Sequence, residues 1–279
     1  MCLVLAGWQA HPEYRLIIAA NRDEFFTRPT ESLREWPEAP GLLAGRDLGA
    51  GSGVPGTWLG LAQDAQRFAT VTNVRGKNEN RTDARSRGAL LMDFLHGDMS
   101  PEKFVRDAAA EPDDYNGYNV LASDLETLWW HSNRSELAPR ELAPGFHGIS
   151  NGALVGSLAP EGDEIHTGTA TPAWPKVREG VRGLRAVVAS DPANVAGYLK
   201  VLSDRTRAGF AELPDTGLGK LHERTASSRF VSHPLHGTRC STVLLVREDG
   251  SFRMTERTWS RFGRRKGTVS FEGVLDLPA

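Results

Sequence analysis

CLVLAGWQAHPEYRLIIAANRDEF, residues 2–25, is the stretch that decides the fold. Cys2 to Gly7 is a short apolar run, and His11-Pro12-Glu13 supplies turn residues. Arg15 to Ala20 is a second run, carrying the β-branched Ile17 and Ile18. Two such runs about one turn predict a β-hairpin. Asn21-Arg22-Asp23-Glu24 follows directly on the second run, and a break from buried strand into polar chain is expected there.

Downstream, Pro37, Pro40, Gly41, Gly45, Gly49 and Gly56 predict loops. Thr57 to Ala62 and Phe68 to Thr72 read as a further strand pair. Ser86 is placed to cap a helix with Leu90, Leu91, Phe94 and Leu95 on one face. Ser100-Pro101-Glu102 begins another, with proline at the first helical position. Asn119 to Ser123 and Thr127 to His131 read as strands, and His147 to Leu154 as a strand or turn. Helices are expected over Pro175 to Val188 and over Pro192 to Ser203, the latter capped by Asp191. Ala159 to Ala173 reads as loop, and Thr242 to Val246, Phe252 to Thr258 and Thr268 to Val274 as strands. Strands, then helices with a few strands between, then strands again imply an α+β sheet–helix architecture in one domain, residues 1–279.

The 279 residues carry a net charge of −2, with 39% hydrophobic and 24% charged side chains. That balance lacks the basic footprint of a nucleic-acid-binding protein. Arg261, Arg264, Arg265 and Lys266 form the one basic cluster and read as a solvated turn. No apolar run approaches the roughly 20 residues that span a bilayer, so no membrane insertion is expected. Two cysteines, Cys2 and Cys240, without a CxxC pair point away from a disulfide framework and toward a reducing, cytoplasmic setting.

Cysteine at position 2 is a small apolar strand residue on its simplest reading. Removal of Met1, however, would leave a chain that begins with a thiol beside a free α-amine. An α-amine titrates near pH 8 and can take the proton of the adjacent thiol, so nucleophile and base share one residue. The hairpin brings Arg22 and Asp23 toward Cys2, a guanidinium to favour thiolate and a carboxylate to hold an ammonium. Asn73, ending one strand, and Asn151, within Gly148-Ile149-Ser150-Asn151-Gly152, are candidate donors to an oxyanion. Arg239 is a candidate for the polar rim.

The chain resembles the Asn-Arg-Asp-Glu family, also called the transport and Golgi organisation protein family. Ordered blocks carry the likeness nearly end to end. They include Met1-Cys2-Leu3, Ala19-Ala20-Asn21-Arg22-Asp23-Glu24-Phe25, Ala44-Gly45-Arg46-Asp47, Gly56-Thr57-Trp58-Leu59-Gly60, Tyr115-Asn116-Gly117-Tyr118-Asn119, Trp174-Pro175-Lys176 and Gly237-Thr238-Arg239. The resemblance implies an N-terminal-nucleophile hydrolase-like fold, a four-layer αββα sandwich of two antiparallel sheets. It implies a small-molecule amidase or thioesterase with Cys2 as nucleophile, Arg22 and Asp23 as the early pair, Asn73 and Asn151 as polar and oxyanion positions, and Arg239 as the late arginine. In the related cholylglycine hydrolase group the early Arg and Asp are spaced apart, whereas here they are adjacent. The same resemblance supports an alternative, a non-catalytic carrier of haem or of acyl-CoA and lipid. No metal or cofactor is needed by the hydrolytic reading; for haem there is no Cys-Pro motif or evident axial pair.

Two other motifs compete. Gly148 to Gly152 is a literal G-x-S-x-G, but a nucleophile elbow needs a strand before Ser150 and a helix after it. Gly51 to Gly56 matches G-x-G-x-x-G, but no helix follows and Pro55 removes an amide, so a turn is expected. His233 and His236 lack a third residue spaced to complete a metal site.

Overall fold

The computed structural model describes residues 2–49, 55–76, 79, 81–155, 164–166 and 174–277. The predicted hairpin forms as β1 (Cys2–His11) and β2 (Tyr14–Phe25). β2 does not break at Asn21: strand geometry continues to Phe25, because β13 (His236–Arg247) pairs along its whole length, from His236 opposite Phe25 to Arg247 opposite Tyr14. A strand paired on both sides has its backbone hydrogen bonds satisfied, so polar side chains are no reason for it to end.

Around this pair lies an eight-stranded antiparallel sheet. β10 (Gly145–Ile149), β11 (Ala153–Val155) and β12 (Glu164–His166) extend it beyond β1, and β14 (Ser251–Ser260) and β15 (Arg264–Val274) extend it beyond β13. The second sheet has seven strands, β3 (Thr30–Trp36), β4 (Ala39–Asp47), β5 (Leu59–Ala62), β6 (Arg67–Asn73), β7 (Tyr118–Ser123), β8 (Leu128–Ser132) and β9 (Arg140–Glu141).

Residues 30–47, expected to be loop, are instead β3 and β4. Their prolines sit where a ladder tolerates them: Pro37 lies between the strands, and Pro40 is at the start of β4. Gly41 takes φ +79°, a left-handed backbone that any side chain would strain. The expected loop over Ala159 to Ala173 lies outside the described residues except at 164–166, which pair with β11 as β12. Residues 51–54 of the G-x-G-x-x-G stretch also lie outside them.

The helices cover the outer faces. α1 (Arg87–Leu95) and α2 (Pro101–Ala110) begin after Ser86 and Ser100; Ser100 accepts a hydrogen bond from the Lys103 amide, whereas Ser86, expected to cap α1, makes no side-chain capping hydrogen bond. Leu90, Leu91, Phe94, Phe104 and Val105 pack onto the outer face of the seven-stranded sheet. α3 (Pro175–Ser190) and α4 (Val195–Leu202) cover the other sheet, where Leu3, Leu5, Ile17 and Val243 meet Val177, Leu184 and Leu199. α4 is capped by Asn194, which accepts from Gly197, and not by Asp191; Asp191 instead closes the preceding turn onto the Ala193 amide. A fifth helix, α5 (Lys220–Ala226), went unpredicted.

Between the sheets, Val4, Ala6, Trp8, Leu16 and Ile18 face Leu33, Leu43, Leu61, Phe68 and Leu121. Apolar side chains from both faces of β1 are therefore buried, alternately between the sheets and under α3 and α4. The result is an α+β sandwich in four layers, αββα, with β1 and β2 central in one sheet.

Candidate active site

Cys2 begins β1 with its backbone paired to Arg22, and Arg22 is in turn paired to Cys240 on β13. Residues directly opposite one another share a sheet face, so Cys2, Arg22 and Cys240 project together between the sheets. Period-two alternation divides the Asn-Arg-Asp-Glu run accordingly. Arg22 and Glu24 face one way, 3.6 Å apart, and Asn21 and Asp23 face the other.

On the inner face, Arg22 Nη2 donates to Asp47 Oδ2 at 2.6 Å, across the gap to β4. Arg28 Nε reaches Asp47 Oδ1 at 2.8 Å. Burial opposes charge on Arg22, but Asp47 and then Glu24 outweigh it and hold the guanidinium above its ordinary value. Burial likewise works against the Asp47 carboxylate, yet Arg22 and Arg28 bring it below its ordinary value. The Cys2 thiol is pushed up by burial, with Arg22 pulling the other way. Cys240 is pushed well up by burial and by neighbouring Glu256.

On the outer face, Asn21 is a clamp. Its Nδ2 donates to the carbonyls of Leu202 and Arg229, both at 2.8 Å, and its Oδ1 accepts from Ser241 at 2.6 Å. Asp23 Oδ1 accepts from Thr238 Oγ1 at 2.6 Å. Burial raises Asp23, while Lys176, the Thr238 hydroxyl and Arg75 act against that rise.

At the same end of β1, Val4 lies opposite Ile149, which carries Ser150 and Asn151 on past Leu3 to the level of Cys2. Ser150 Oγ donates to the Cys2 carbonyl at 2.7 Å, and its own carbonyl accepts from Thr72 Oγ1 at 2.7 Å and Asn119 Nδ2 at 3.0 Å. Through its hydroxyl and its carbonyl together, Ser150 ties Cys2 to the facing sheet. No helix follows it: after Ile149 the chain bends and returns as β11, the geometry opposite to a nucleophile elbow.

Asn151 Nδ2 donates to Asn73 twice, to the backbone carbonyl at 2.8 Å and to Oδ1 at 2.9 Å. With both Asn151 protons engaged, Asn151 orients Asn73 and has no N–H left for an oxyanion. Arg239 lies beside the inner-face charges, where burial and then Arg22 act against its charge and Cys240, Glu24 and Asp47 favour it. It occupies a bulge between Thr238 and Cys240, and its guanidinium donates to the carbonyls of Phe25 and Arg28 and to Thr30 Oγ1. It braces the chain leaving β2.

Four residues join the site without having been predicted. Asp47 is one. Arg75 hydrogen-bonds Asn151 Oδ1 at 3.3 Å and forms a buried ion pair with Glu223 of α5. Lys176 opens α3, is 3% exposed, and its Nζ has no hydrogen-bond partner among the described residues. Both cations lie over the Trp174 ring, Arg75 at 4.7 Å and Lys176 at 5.5 Å. Burial, then the Arg75 charge, lowers Lys176 to about 8, with Asp23 and Cys2 opposing the shift. Asp47 and Lys176 fall in blocks already noted, Ala44-Gly45-Arg46-Asp47 and Trp174-Pro175-Lys176. Nothing local marks Arg75 or Glu223.

The transport and Golgi organisation 2 family model matches residues 1–261. The chain belongs to that family. Its relatives include a transport and Golgi organization protein 2 homolog from Bos taurus, 34% identical over 92% of this chain and 93% of the relative. The Homo sapiens homolog is 33% identical over the same shares, and the Drosophila melanogaster protein 25% identical over 92% of each. Family likeness thus spans both sheets and the whole Cys2 site. No described helix is long and apolar enough to cross a membrane.

Proposed function

We propose that this family member is a cysteine N-terminal-nucleophile hydrolase acting on a linear amide, or thioester, of a small molecule. The observation that carries it is the position of Cys2: first residue of a central strand, paired to Arg22, with the Ser150-Asn151-Asn73 chain of hydrogen bonds at the same level. Met1 is removed first. The α-amine of Cys2 then takes the thiol proton, and the thiolate forms a C–S bond to the substrate carbonyl carbon. Asn73 Nδ2, held by Asn151, donates to the resulting oxyanion. The C–N bond breaks as the α-ammonium protonates the leaving amine. Water, deprotonated by the same amine, then cleaves the thioester and restores the thiol. Arg22 supplies the positive charge beside sulfur and Asp23 the counter-charge for the ammonium.

Intact-mass spectrometry before and after iodoacetamide tests the first step. Loss of Met1 with rapid alkylation at Cys2 alone supports it, and turnover of an amide panel should vanish in Cys2→Ala. Retained Met1, or a Cys2 no more reactive than Cys240, overturns it.

A second reading, a small-molecule carrier, draws on the transport named in the relatives and on one observation, the burial of the Cys2 thiol, which pushes its pKa up. An acyl-CoA or lipid carrier would bind without turnover and without a need for thiolate. Haem ligation by Cys2 would call for a thiolate, which burial among Val4, Ala20 and Ile149 opposes.

A further inference from the structure

The turn between β14 and β15 carries a concentration of charge that the rest of the chain does not share. Several arginines elsewhere are paired with acids, among them Arg15 with Glu248, Arg134 with Glu79 and Arg229 with Asp204. Arg239, Arg261, Arg264 and Lys266 instead line a single groove, and no described carboxylate lines it with them. The chain as a whole is at −2, so composition does not account for four cations side by side, of which only Arg239 has carboxylates, Glu24 and Asp47, acting on it. Like charges repel at that proximity, and a groove lined by one sign of charge concentrates ions of the other.

The walls are aromatic. Trp259 is fixed in place, its Nε1 donating to Ser241 Oγ at 3.0 Å and its ring edge-on to Phe230 at 5.0 Å. Phe26 lines the facing side, with the Arg239 guanidinium 5.4 Å from its ring. Phe262 projects at the tip, 57% exposed, on a left-handed backbone of φ 63° and ψ 19°. Such a backbone strains a bulky side chain, and burial gives nothing back here. Gly263 beside it is also left-handed, at φ +67°, and a Cβ there would come within 2.7 Å of the Phe230 ring. The tip is thus seated against Phe230 through Gly263 while Phe262 points outward. The groove is open to solvent along its length, with a volume of about 490 Å³.

We propose that this groove binds a phosphate-bearing ligand. Arg261, Arg264 and Lys266 hold the phosphate oxygens, Arg239 supplies a charge already fixed by its three hydrogen bonds, and the aromatic walls take the organic part. Guanidinium forks match phosphate oxygens in pairs, and aromatic faces accept both rings and alkyl chains. None of this draws on the chemistry of Cys2. A free phosphorylated metabolite and a lipid headgroup both present this phosphate chemistry.

The full chain is titrated calorimetrically with pyrophosphate and with a nucleoside diphosphate. It is also sedimented with phosphatidylcholine vesicles, with and without phosphatidylglycerol. The comparison is Arg261→Ala/Arg264→Ala/Lys266→Ala, whose exposed positions should leave the thermal midpoint unchanged. Salt-sensitive binding, weakened about tenfold or more in the triple variant, is expected. Binding of either soluble probe assigns a free phosphate; binding only to phosphatidylglycerol vesicles assigns a headgroup. The inference is overturned if no probe binds, or if the triple variant binds as the unaltered chain does.

Discussion

Arg22 and Asp23, adjacent in the chain, point to opposite faces of the same sheet. Arg22 reaches across the sandwich to Asp47 at 2.6 Å, while Asp23 accepts from Thr238 at 2.6 Å beneath the helical layer. In the cholylglycine hydrolase pattern the early Arg and Asp are separated. Here adjacency delivers one charge to each side of Cys2, because neighbouring residues on a strand alternate.

The two substitutions should therefore behave differently. Arg22→Met leaves Asp47 with Arg28 alone and is predicted to cost about 3 kcal/mol. It also removes the cation that lowers the Cys2 thiol, so alkylation near neutral pH should slow. Asp23→Asn keeps an acceptor for Thr238 and is already favoured by burial; a cost below about 1 kcal/mol is expected, with turnover lost. Denaturant titration and iodoacetamide rates measure both. Equal destabilisation by the two variants would contradict the two-face arrangement.

Asn73 and Asn151 should separate in the same way. Asn151→Ala strips partners from Asn73 and Arg75 and is predicted to cost about 1–3 kcal/mol of stability. Asn73→Ala removes the oxyanion donor, and kcat should fall by about 10²–10³ with little change in stability. If Asn73→Ala turns over amide at the unaltered rate, the oxyanion assignment is wrong.

Lys176 predicts a stability that rises with pH. Its folded value is near 8 against an ordinary 10.5, so between those values the unfolded chain binds a proton that the folded chain does not. Stability from this group therefore increases across that window, and the full cost of the buried ammonium, about 3 kcal/mol, applies below it. Lys176→Met should be more stable than the unaltered chain at neutral pH, and the advantage should shrink by pH 10. The Lys176 charge also acts on Cys2, so the pH profile of Cys2 alkylation should shift in the same variant. Thermal midpoints measured across that pH range decide the point.

His131 makes the acid-side counterpart. It is buried edge-on to Tyr118, and neither ring nitrogen has a hydrogen-bond partner among the described residues. Burial lowers it to about 4 from 6.5. Falling pH between those values protonates the unfolded chain first, so stability falls. His131→Phe should gain about 2 kcal/mol at pH 5 and much less at pH 7.5. Parallel acid melts of both proteins check this, and coincident curves would refute it.

The hairpin of β1 and β2, the helices α1 to α3, the C-terminal strands and the family were all legible in the sequence. Each rests on a local signal: an apolar run about a turn, a cap before a periodic face, or an ordered block of residues. Cys2 stood out for the same kind of reason, its place in the chain. What only the tertiary structure decided is which polar groups meet. Strands β3 and β4 were hidden because prolines and glycines mark loops by propensity, yet a ladder partner overrides propensity. Arg239 was placed on the polar rim by order along the chain, and only the bulge in β13 shows that its guanidinium is held by the Phe25–Thr30 turn beside Arg22 and Glu24. Arg75 and Glu223 lie 148 residues apart, Asn73 and Asn151 78 apart. No periodicity links positions so distant; they meet because two sheets close over one core, and burial then makes each pairing obligatory.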